Sequence, residues 1–153
     1  MRRRESRRRR RVRLLIAALA LAAGCAGSGG PPPIAIGTPC AACGMEVRDL
    51  RFACERKAAG AWRVYDAIEC LMRDAGSAAT PAGAGAAWLA DYDARTLHAA
   101  DSVWVVRGAF ASPMGGGFAA FGDRASADSV AAMTSGRVER LATFLAEPAG
   151  DAR

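Results

Sequence analysis

Alternation of apolar and polar residues in the first half of the chain predicts two strands that form a hairpin. Glu46 to Arg56 places apolar side chains at intervals between polar ones, and Trp62-Arg63-Val64-Tyr65 alternates residue by residue. Ala58-Ala59-Gly60 separates the two segments and has the composition of a turn. Because successive side chains of a strand point to opposite faces, the pattern indicates an antiparallel pair.

A helix is predicted directly after this hairpin. Asp66 is followed three residues later by Glu69, the acidic relative of a capping box, and the helical pattern continues to Gly76. Ser77 to Gly85 consists of small residues and a proline, which predicts a loop. Ala87 to Tyr92 then predicts a short third strand.

The second half of the chain repeats this order. Ser102 to Arg107 is rich in β-branched and aromatic residues and predicts a strand, and Phe118 to Phe121 predicts another. Asp123 is a suitable N-cap for a helix that ends at Gly136. Val138 to Leu145 follows either as a last strand or as a helical end, and the pattern does not decide between them.

The two halves therefore have one plan. Placing Asp66 on Asp123 superimposes the two hairpin–helix junctions at an offset of 57 residues. We predict an α+β fold made of two hairpin–helix–strand (ββαβ-type) units with antiparallel strands. The units are expected at about 38–93 and 94–147 within one domain of 38–147, with a tail at 148–153.

Residues 1–24 have the composition of an export signal. Met1 to Arg13 is mostly arginine, and Leu14 to Ala23 is an apolar run shorter than a transmembrane helix requires. Ala22-Ala23-Gly24-Cys25 resembles the lipobox of bacterial lipoproteins, which implies cleavage before Cys25 and acylation of its thiol. The alternative is ordinary cleavage that leaves Cys25 as a free thiol. We expect an exported protein that is lipid-anchored to a membrane and faces the periplasm.

Removing the signal changes the charge of the protein. Residues 1–24 carry nine arginines and one glutamate, a net charge of +8, whereas the whole chain carries +6. The remainder therefore has a net charge of −2, and the basic character belongs to the targeting segment. A nucleic-acid-binding function loses its main support. Residues 25–37 are rich in glycine, serine and proline, which predicts a tether.

The segment Thr38-Pro39-Cys40-Ala41-Ala42-Cys43-Gly44-Met45 carries the candidate chemistry. Thiols spaced as in Cys40 and Cys43 can face a common point, and Gly44 lets the backbone turn so that the thioether of Met45 can join them. Cysteine and methionine are the soft ligands that select Cu(I). This segment, which we call the knuckle, predicts a copper(I) site.

Other arrangements of the cysteines remain open at this point. Cys40 and Cys43 can be a redox pair, although such pairs usually begin a helix and here a strand is predicted to follow. The four cysteines after Cys25 can instead form structural disulfides. A zinc site would need Cys54 and Cys70 as further ligands. We interpret Cys54 and Cys70 as core residues, because free cysteine packs as a small hydrophobe.

Met114 is the candidate partner of the knuckle from the second half. It lies in Ser112-Pro113-Met114-Gly115, where proline and glycine suit a tight turn. Methionine normally fills gaps in a core, so its place at a turn before three glycines suggests a ligand. His98, the single histidine, is interpreted as a solvated residue in a connection. The sequence contains no nucleophile–base constellation.

These motifs together resemble the nitrous-oxide reductase accessory protein (NosL) family of membrane-anchored copper chaperones. The resemblance rests on the lipoprotein signal, the Cys-x-x-Cys-Gly-Met knuckle, Tyr65-Asp66 before a helix with Cys70, and Pro113-Met114-Gly115 after the Val103 strand. It implies Cu(I) delivery toward a multicopper site in nitrous-oxide reductase. Carried over by motif, Cys43, Met45 and Met114 are the candidate ligands, with Cys40 as an auxiliary one. Ala67 and His98 depart from the family pattern.

From these observations we predict a Cu(I)-binding lipoprotein that transfers metal by ligand exchange and catalyses no reaction. Its expected partners are an apo metalloenzyme, nitrous-oxide reductase in the first instance, and the membrane through the lipid on Cys25. The alternatives are a tethered thiol–disulfide oxidoreductase that uses Cys40 and Cys43, and a structural lipoprotein whose cysteines form bridges.

Overall fold

The computed structural model of the chain describes residues 30–76 and 87–147. The predicted signal at 1–24, Cys25 with its lipid, the greater part of the tether, the loop at 77–85 and the tail at 148–153 lie outside these residues. No helix in the described ranges is long and apolar enough to cross a membrane.

Seven strands and three helices follow one another in the described ranges. The first group is β1 (Cys54–Ala58), β2 (Ala61–Tyr65), α1 (Ile68–Gly76), β3 (Ala87–Ala90) and β4 (Leu97–Ala99). The second group is β5 (Trp104–Arg107), β6 (Phe118–Phe121), α2 (Arg124–Met133), β7 (Arg137–Glu139) and α3 (Leu141–Leu145).

The strands form two antiparallel sheets with the same connectivity. The first has the order β2-β1-β3-β4 and the second the order β6-β5-β7. In each, a hairpin leads into a helix, and the next strand returns to pair antiparallel with the first strand of the hairpin. The predicted α+β class is confirmed, and the hairpin–helix–strand order occurs twice. β4 had no counterpart in the prediction, and it pairs with β3.

The first hairpin closes through a two-residue turn. Ala58 pairs with Ala61, and the residues between them, Ala59 and Gly60, have φ values of 49° and 83°. Positive φ at both positions is the type I′ geometry, whose twist matches that of the flanking strands. The turn therefore fixes the register in which Cys54 faces Tyr65.

The first strand is shorter than predicted. It begins at Cys54 instead of Glu46, which makes only an isolated bridge with Pro39. The Asp49 carboxylate accepts bonds from the backbone and the guanidinium of Arg51, each at 3.0 Å. Such local bonds offer the backbone an alternative to a sheet ladder, so this segment turns before the strand starts. The ambiguous segment near Val138 contains both a strand and a helix.

The two sheets share one hydrophobic core. Leu89 from β3 and Val105 from β5 belong to the same buried cluster. The next residue of β5, Val106, points to the opposite face and packs in a second cluster with Ala127 and Ala131 of α2. A backbone bond of 2.8 Å from Tyr92 to Ala120 also joins the sheets. The second half thus packs directly on the half that contains the knuckle.

An ionic group holds the C-terminal part of α1 against the first hairpin. The Asp74 carboxylate accepts a 2.6 Å bond from the Tyr65 hydroxyl. It also forms ion pairs with Arg56 and, at 3.1 Å, with Arg63. The Arg56 guanidinium and the Tyr65 hydroxyl keep the pKa of Asp74 below its usual value despite its burial. α1 is therefore attached to both strands of the hairpin.

Candidate metal centre

The knuckle is a compact hairpin closed by backbone hydrogen bonds. The amide of Val47 donates to Thr38 at 2.9 Å, and the amide of Cys40 donates to Met45 at 2.7 Å. Inside this frame the Gly44 amide donates to the Cys40 carbonyl at 2.9 Å, and Gly44 has φ of +77°. Because other residues rarely adopt this φ, the glycine allows the turn that places Cys40 and Cys43 side by side.

Two hydrogen bonds at Ala41 attach the knuckle to β2, next to the start of α1. The Arg63 guanidinium donates to the Ala41 carbonyl at 3.3 Å. The Ala41 amide donates to the Val64 carbonyl at 2.8 Å. This contact brings the knuckle thiols to Asp66, which follows β2, and to Cys70 in the first turn of α1. One ligand atom from each of Cys40, Cys43, Asp66 and Cys70 lies within 4.8 Å of all the others. We call these four residues the cysteine–aspartate cluster.

The cluster is open at one member. Cys40 is 3 % exposed, Asp66 3 % and Cys70 0 %, whereas Cys43 is only half-buried. The Cys43 thiol lies 3.7 Å from Oδ1 of Asp66 and donates toward it. Solvent or a partner protein therefore reaches the cluster first at Cys43.

Electrostatics keeps the buried thiols protonated in the absence of metal. Burial raises the pKa of Cys40, while backbone amides of Asp66, Ala42 and Cys43 that approach its sulfur lower it in part. Burial also raises the pKa of Cys70 far above its usual range, and the Asp66 carboxylate adds to that rise. A bound cation would stabilise the negatively charged thiolates. Metal binding by these thiols would therefore release their protons.

The two predicted methionine ligands lie on the same side of the molecule as the cluster. Met45 is 46 % exposed and lines a groove together with Asp66 and Pro113. Met114 is half-buried and packs on the hydrophobic cluster that contains Cys40 and Cys70. Pro113, which precedes Met114, thus shares a groove with Met45 of the knuckle, and a ligand role for the two methionines stays a prediction.

The remaining candidates lie outside the cluster. Cys54 is fully buried, contacts the Ala67 carbonyl at 3.5 Å, and has a pKa raised by burial. His98 is half-buried at the edge strand β4 and pairs with the Thr96 hydroxyl at 3.0 Å. The four cysteines of the described ranges are free thiols. A zinc site made of the four cysteines would need Cys54 as a ligand. Cys54 lies outside the cluster, and Asp66 is the fourth member instead.

Two members of the cluster were not identified as ligands from the pattern. Asp66 was interpreted as a helix cap and Cys70 as a core residue. The signal that was available is their spacing: residues four apart at a helix start lie on one face. Cys70 also fits the core interpretation, since it is completely buried. A buried cysteine can therefore pack as a hydrophobe and still direct its sulfur into a polar cluster.

The fold is similar to that of a solved structure, the copper chaperone NosL from Shewanella denitrificans. The two chains are 16 % identical, the TM-score is 0.59, and the match covers 72 % of this chain and 94 % of the other. At this identity the likeness shows a common fold. No protein-family profile matches the chain, and neither does any curated protein sequence.

Proposed function

We propose that this chain is a copper chaperone that carries Cu(I) in the cysteine–aspartate cluster and gives it to an acceptor protein. The observation that supports this most directly is the convergence of Cys40, Cys43, Cys70 and Asp66 within 4.8 Å. Three sulfurs at this distance from one another can contact one ion, and thiolates favour Cu(I) over hard cations. The fold shared with a copper chaperone supports the same cargo.

The neighbouring thioethers favour Cu(I) over zinc. Three thiolates and a carboxylate are also an acceptable tetrahedral set for Zn²⁺. Zinc gains little from methionine, whereas a thioether is a soft ligand that suits Cu(I). Met45 borders the groove at the cluster and Met114 packs on the adjoining core. In this proposal Cys43, Met45 and Met114 hold the ion on the open side, and Cys40 holds it from within. Cys70 and Asp66 line the inner side of the site beside Cys40.

Transfer begins at the half-buried Cys43. The groove beside Met45 and Pro113 is also lined by Asp66 of the cluster. An acceptor thiol or thioether that docks there is expected to exchange first with Cys43, because Cys43 is half-buried whereas Cys40 and Cys70 are buried. The ion then moves by stepwise exchange of ligands, and no covalent bond of the protein is made or broken. The chain catalyses no chemical reaction in this scheme.

The anchor, compartment and client belong to the same proposal. Acylation of Cys25 would hold the domain at the periplasmic face of a membrane through the glycine- and proline-rich tether. The acceptor that the family resemblance indicates is apo nitrous-oxide reductase during assembly of its copper site. Neighbouring genes that encode this enzyme would support the assignment, and purified apo-reductase that gains no copper from the loaded protein would contradict it.

Anaerobic Cu(I) titration against a chromophoric chelator tests the binding step. We expect tight one-site binding that is weakened by Cys43→Ser and by Met114→Ala. Cys54→Ala is the control, because Cys54 is a buried cysteine that lies outside the cluster. If Met114→Ala leaves the affinity unchanged, the site does not include the second motif. If the wild-type chain does not compete with the chelator, the copper proposal fails.

The closeness of the Cys40 and Cys43 sulfurs also allows a second function, that of a thiol–disulfide oxidoreductase. Its weakness is that burial raises the pKa of Cys40, whereas reactive cysteines of that class have lowered values. A disulfide-reduction assay with an insulin substrate separates the two functions. Turnover that is lost in Cys40→Ser and insensitive to Met114→Ala would favour the oxidoreductase.

A further inference from the structure

The loop that carries Met114 is tied to the helix of the cysteine–aspartate cluster by one carboxylate. Oε1 of Glu69 accepts a 2.5 Å bond from the Ser112 hydroxyl and a 3.0 Å bond from the Gly116 amide. The Ser112 hydroxyl oxygen in turn accepts a 3.0 Å bond from the Gly117 amide. Met114 lies in the middle of the segment that these bonds close.

Close contacts require glycine at two positions of this loop, and one of those contacts is with Glu69. A Cβ at position 116 would lie 2.7 Å from Cγ of Glu69, which is closer than real contacts allow. A Cβ at position 117 would lie 2.0 Å from the Gly108 carbonyl oxygen. Gly116 therefore lets the backbone approach the Glu69 side chain, and Gly117 lets it pass close to Gly108.

Burying the Glu69 carboxylate costs free energy, so packing alone does not explain why an acidic residue occupies this position. The other carboxylate oxygen, Oε2 of Glu69, is buried and has no hydrogen-bond partner in the described ranges. Burying an unpaired acceptor is unfavourable, whereas an apolar residue would fill the position without that cost. The bonds to a charged acceptor are in return stronger than neutral ones and hold the loop in one geometry.

The place of Glu69 in the chain connects this loop to the metal ligands. It is the residue before Cys70 on the first turn of α1, and the third after Asp66, which precedes the helix. Glu69 therefore links α1, which carries Cys70, to the loop that carries Met114.

We propose that Glu69 is a positioning residue that holds the Met114 loop against the cysteine–aspartate cluster, so that the thioether is presented to bound Cu(I). This inference rests on the proposed function. Glu69 itself does not contact the ion. It acts through Ser112 and Gly116, and its whole contribution to copper affinity passes through Met114.

A double-mutant cycle tests this claim. Cu(I) affinity is measured by anaerobic chelator competition for wild type, Glu69→Ala, Met114→Ala and the double variant. We expect Glu69→Ala to weaken binding on the order of 10- to 100-fold, the range found for residues that orient metal ligands. In the Met114→Ala background it should cause no further loss. Glu69→Gln should restore most of the affinity, since its amide oxygen still accepts both bonds.

Two further variants keep the test decisive. Asp128→Ala removes an exposed helical carboxylate of α2 and should leave the affinity unchanged. Ser112→Ala removes only the hydroxyl link, so it serves if Glu69→Ala does not fold, and its smaller loss should also vanish without Met114. Thermal unfolding of each apo variant shows whether it is folded.

The outcomes separate the inference from the function. A loss in Glu69→Ala that persists at full size without Met114 overturns the positioning role, as does an unchanged affinity in Glu69→Ala. If wild type binds tightly but Met114→Ala binds equally well, the inference fails and the chaperone function stands. If wild type does not bind Cu(I), the proposed function fails and the inference fails with it.

Discussion

The two hairpin–helix units of this molecule have one topology but different chemistry. At the offset of 57 residues, Asp66 corresponds to Asp123 and Cys70 to Ala127. Asp123 is exposed and caps α2 by accepting a 2.8 Å bond from the Ser126 amide, whereas Asp66 is buried beside thiols. Cys70 and Ala127 are both fully buried. A thiol of the cysteine–aspartate cluster thus occupies what is an ordinary core position in the other unit.

The difference arises from what precedes each hairpin. The knuckle lies against β2 of the first unit through Ala41, and it supplies Cys40 and Cys43 to the junction. The second unit contributes the Met114 loop within its own hairpin, between β5 and β6. One unit therefore holds the thiols and the other presents the thioether, and the comparison predicts which substitutions affect binding and which affect only stability.

The largest effect is expected when the first unit loses its knuckle thiols. The double variant Cys40→Ser/Cys43→Ser should abolish tight one-site Cu(I) binding. Only one thiol of the cluster, that of the buried Cys70, would remain beside Asp66. The measurement is chelator competition, with Cys54→Ala as the control. Retention of wild-type affinity in the double variant would place the copper site elsewhere.

The central strands of the two sheets should differ in their response to pH. β5 buries Val105 and Val106, whereas β1 buries Glu55, whose two carboxylate oxygens have no hydrogen-bond partner in the described ranges. Burial raises the pKa of Glu55 from 4.5 to about 7. The folded state therefore holds the proton more tightly than the unfolded state does. This stabilising contribution is complete below about pH 4.5 and is lost as the pH rises through about 7.

Urea unfolding of the reduced apo protein at pH 4.5 and pH 8 measures this term. The wild type should lose about 3 kcal/mol more stability across that interval than Glu55→Gln does. The other titratable groups are common to both proteins and cancel in the difference. Parallel pH profiles would show that Glu55 is not the group responsible.

A smaller effect is expected when Cys70 is made like its counterpart. Cys70→Ala should fold, because Ala127 fills the equivalent position, and should weaken Cu(I) binding on the order of 10- to 100-fold. Thermal unfolding and chelator competition check the two parts separately. Equal losses of affinity in Cys70→Ala and Cys54→Ala would mean that Cys70 acts only through packing.

The smallest effect is expected at the exposed cap of the second unit. Asp123→Ala should cost about 1 kcal/mol of stability through the lost N-cap bond and leave copper affinity unchanged. Asp66→Ala should instead lower the affinity, since Asp66 faces the thiols. Urea unfolding and copper titration of the two variants compare the aspartates directly. A copper effect of similar size at both positions would contradict the assigned difference.

The local pattern was sufficient to predict the α+β class and most elements, because alternation, turn residues and caps act within a few residues of one another. Asp123 caps α2 as predicted, and Phe118–Phe121 is a strand as predicted. The first strand was predicted too long, because the side-chain bonds between Asp49 and Arg51 favour a turn over the ladder.

The site could be predicted only in part, since its geometry depends on contacts between distant segments. The knuckle motif indicated Cys40 and Cys43, which do lie together. The approach of the knuckle to α1 depends on the Ala41–Val64 bond, which no periodicity reveals. Cys70 satisfies the pattern of a core residue, so its second role is visible only once Asp66 is seen beside it.

The ionic group around Asp74, at the C-terminal end of α1, has a mechanical consequence for the cysteine–aspartate cluster. Asp74 is bound by Tyr65, Arg56 and Arg63 of the first hairpin. We therefore expect α1, and with it the side of the cluster formed by Cys70, to move little. The opposite side is the knuckle, which two hydrogen bonds at Ala41 attach to β2. Its outer part is less buried, since Cys43 is half-buried and Gly44 and Met45 are exposed. We therefore expect any adjustment to a bound ion to occur at Cys43 to Met45, while α1 stays in place.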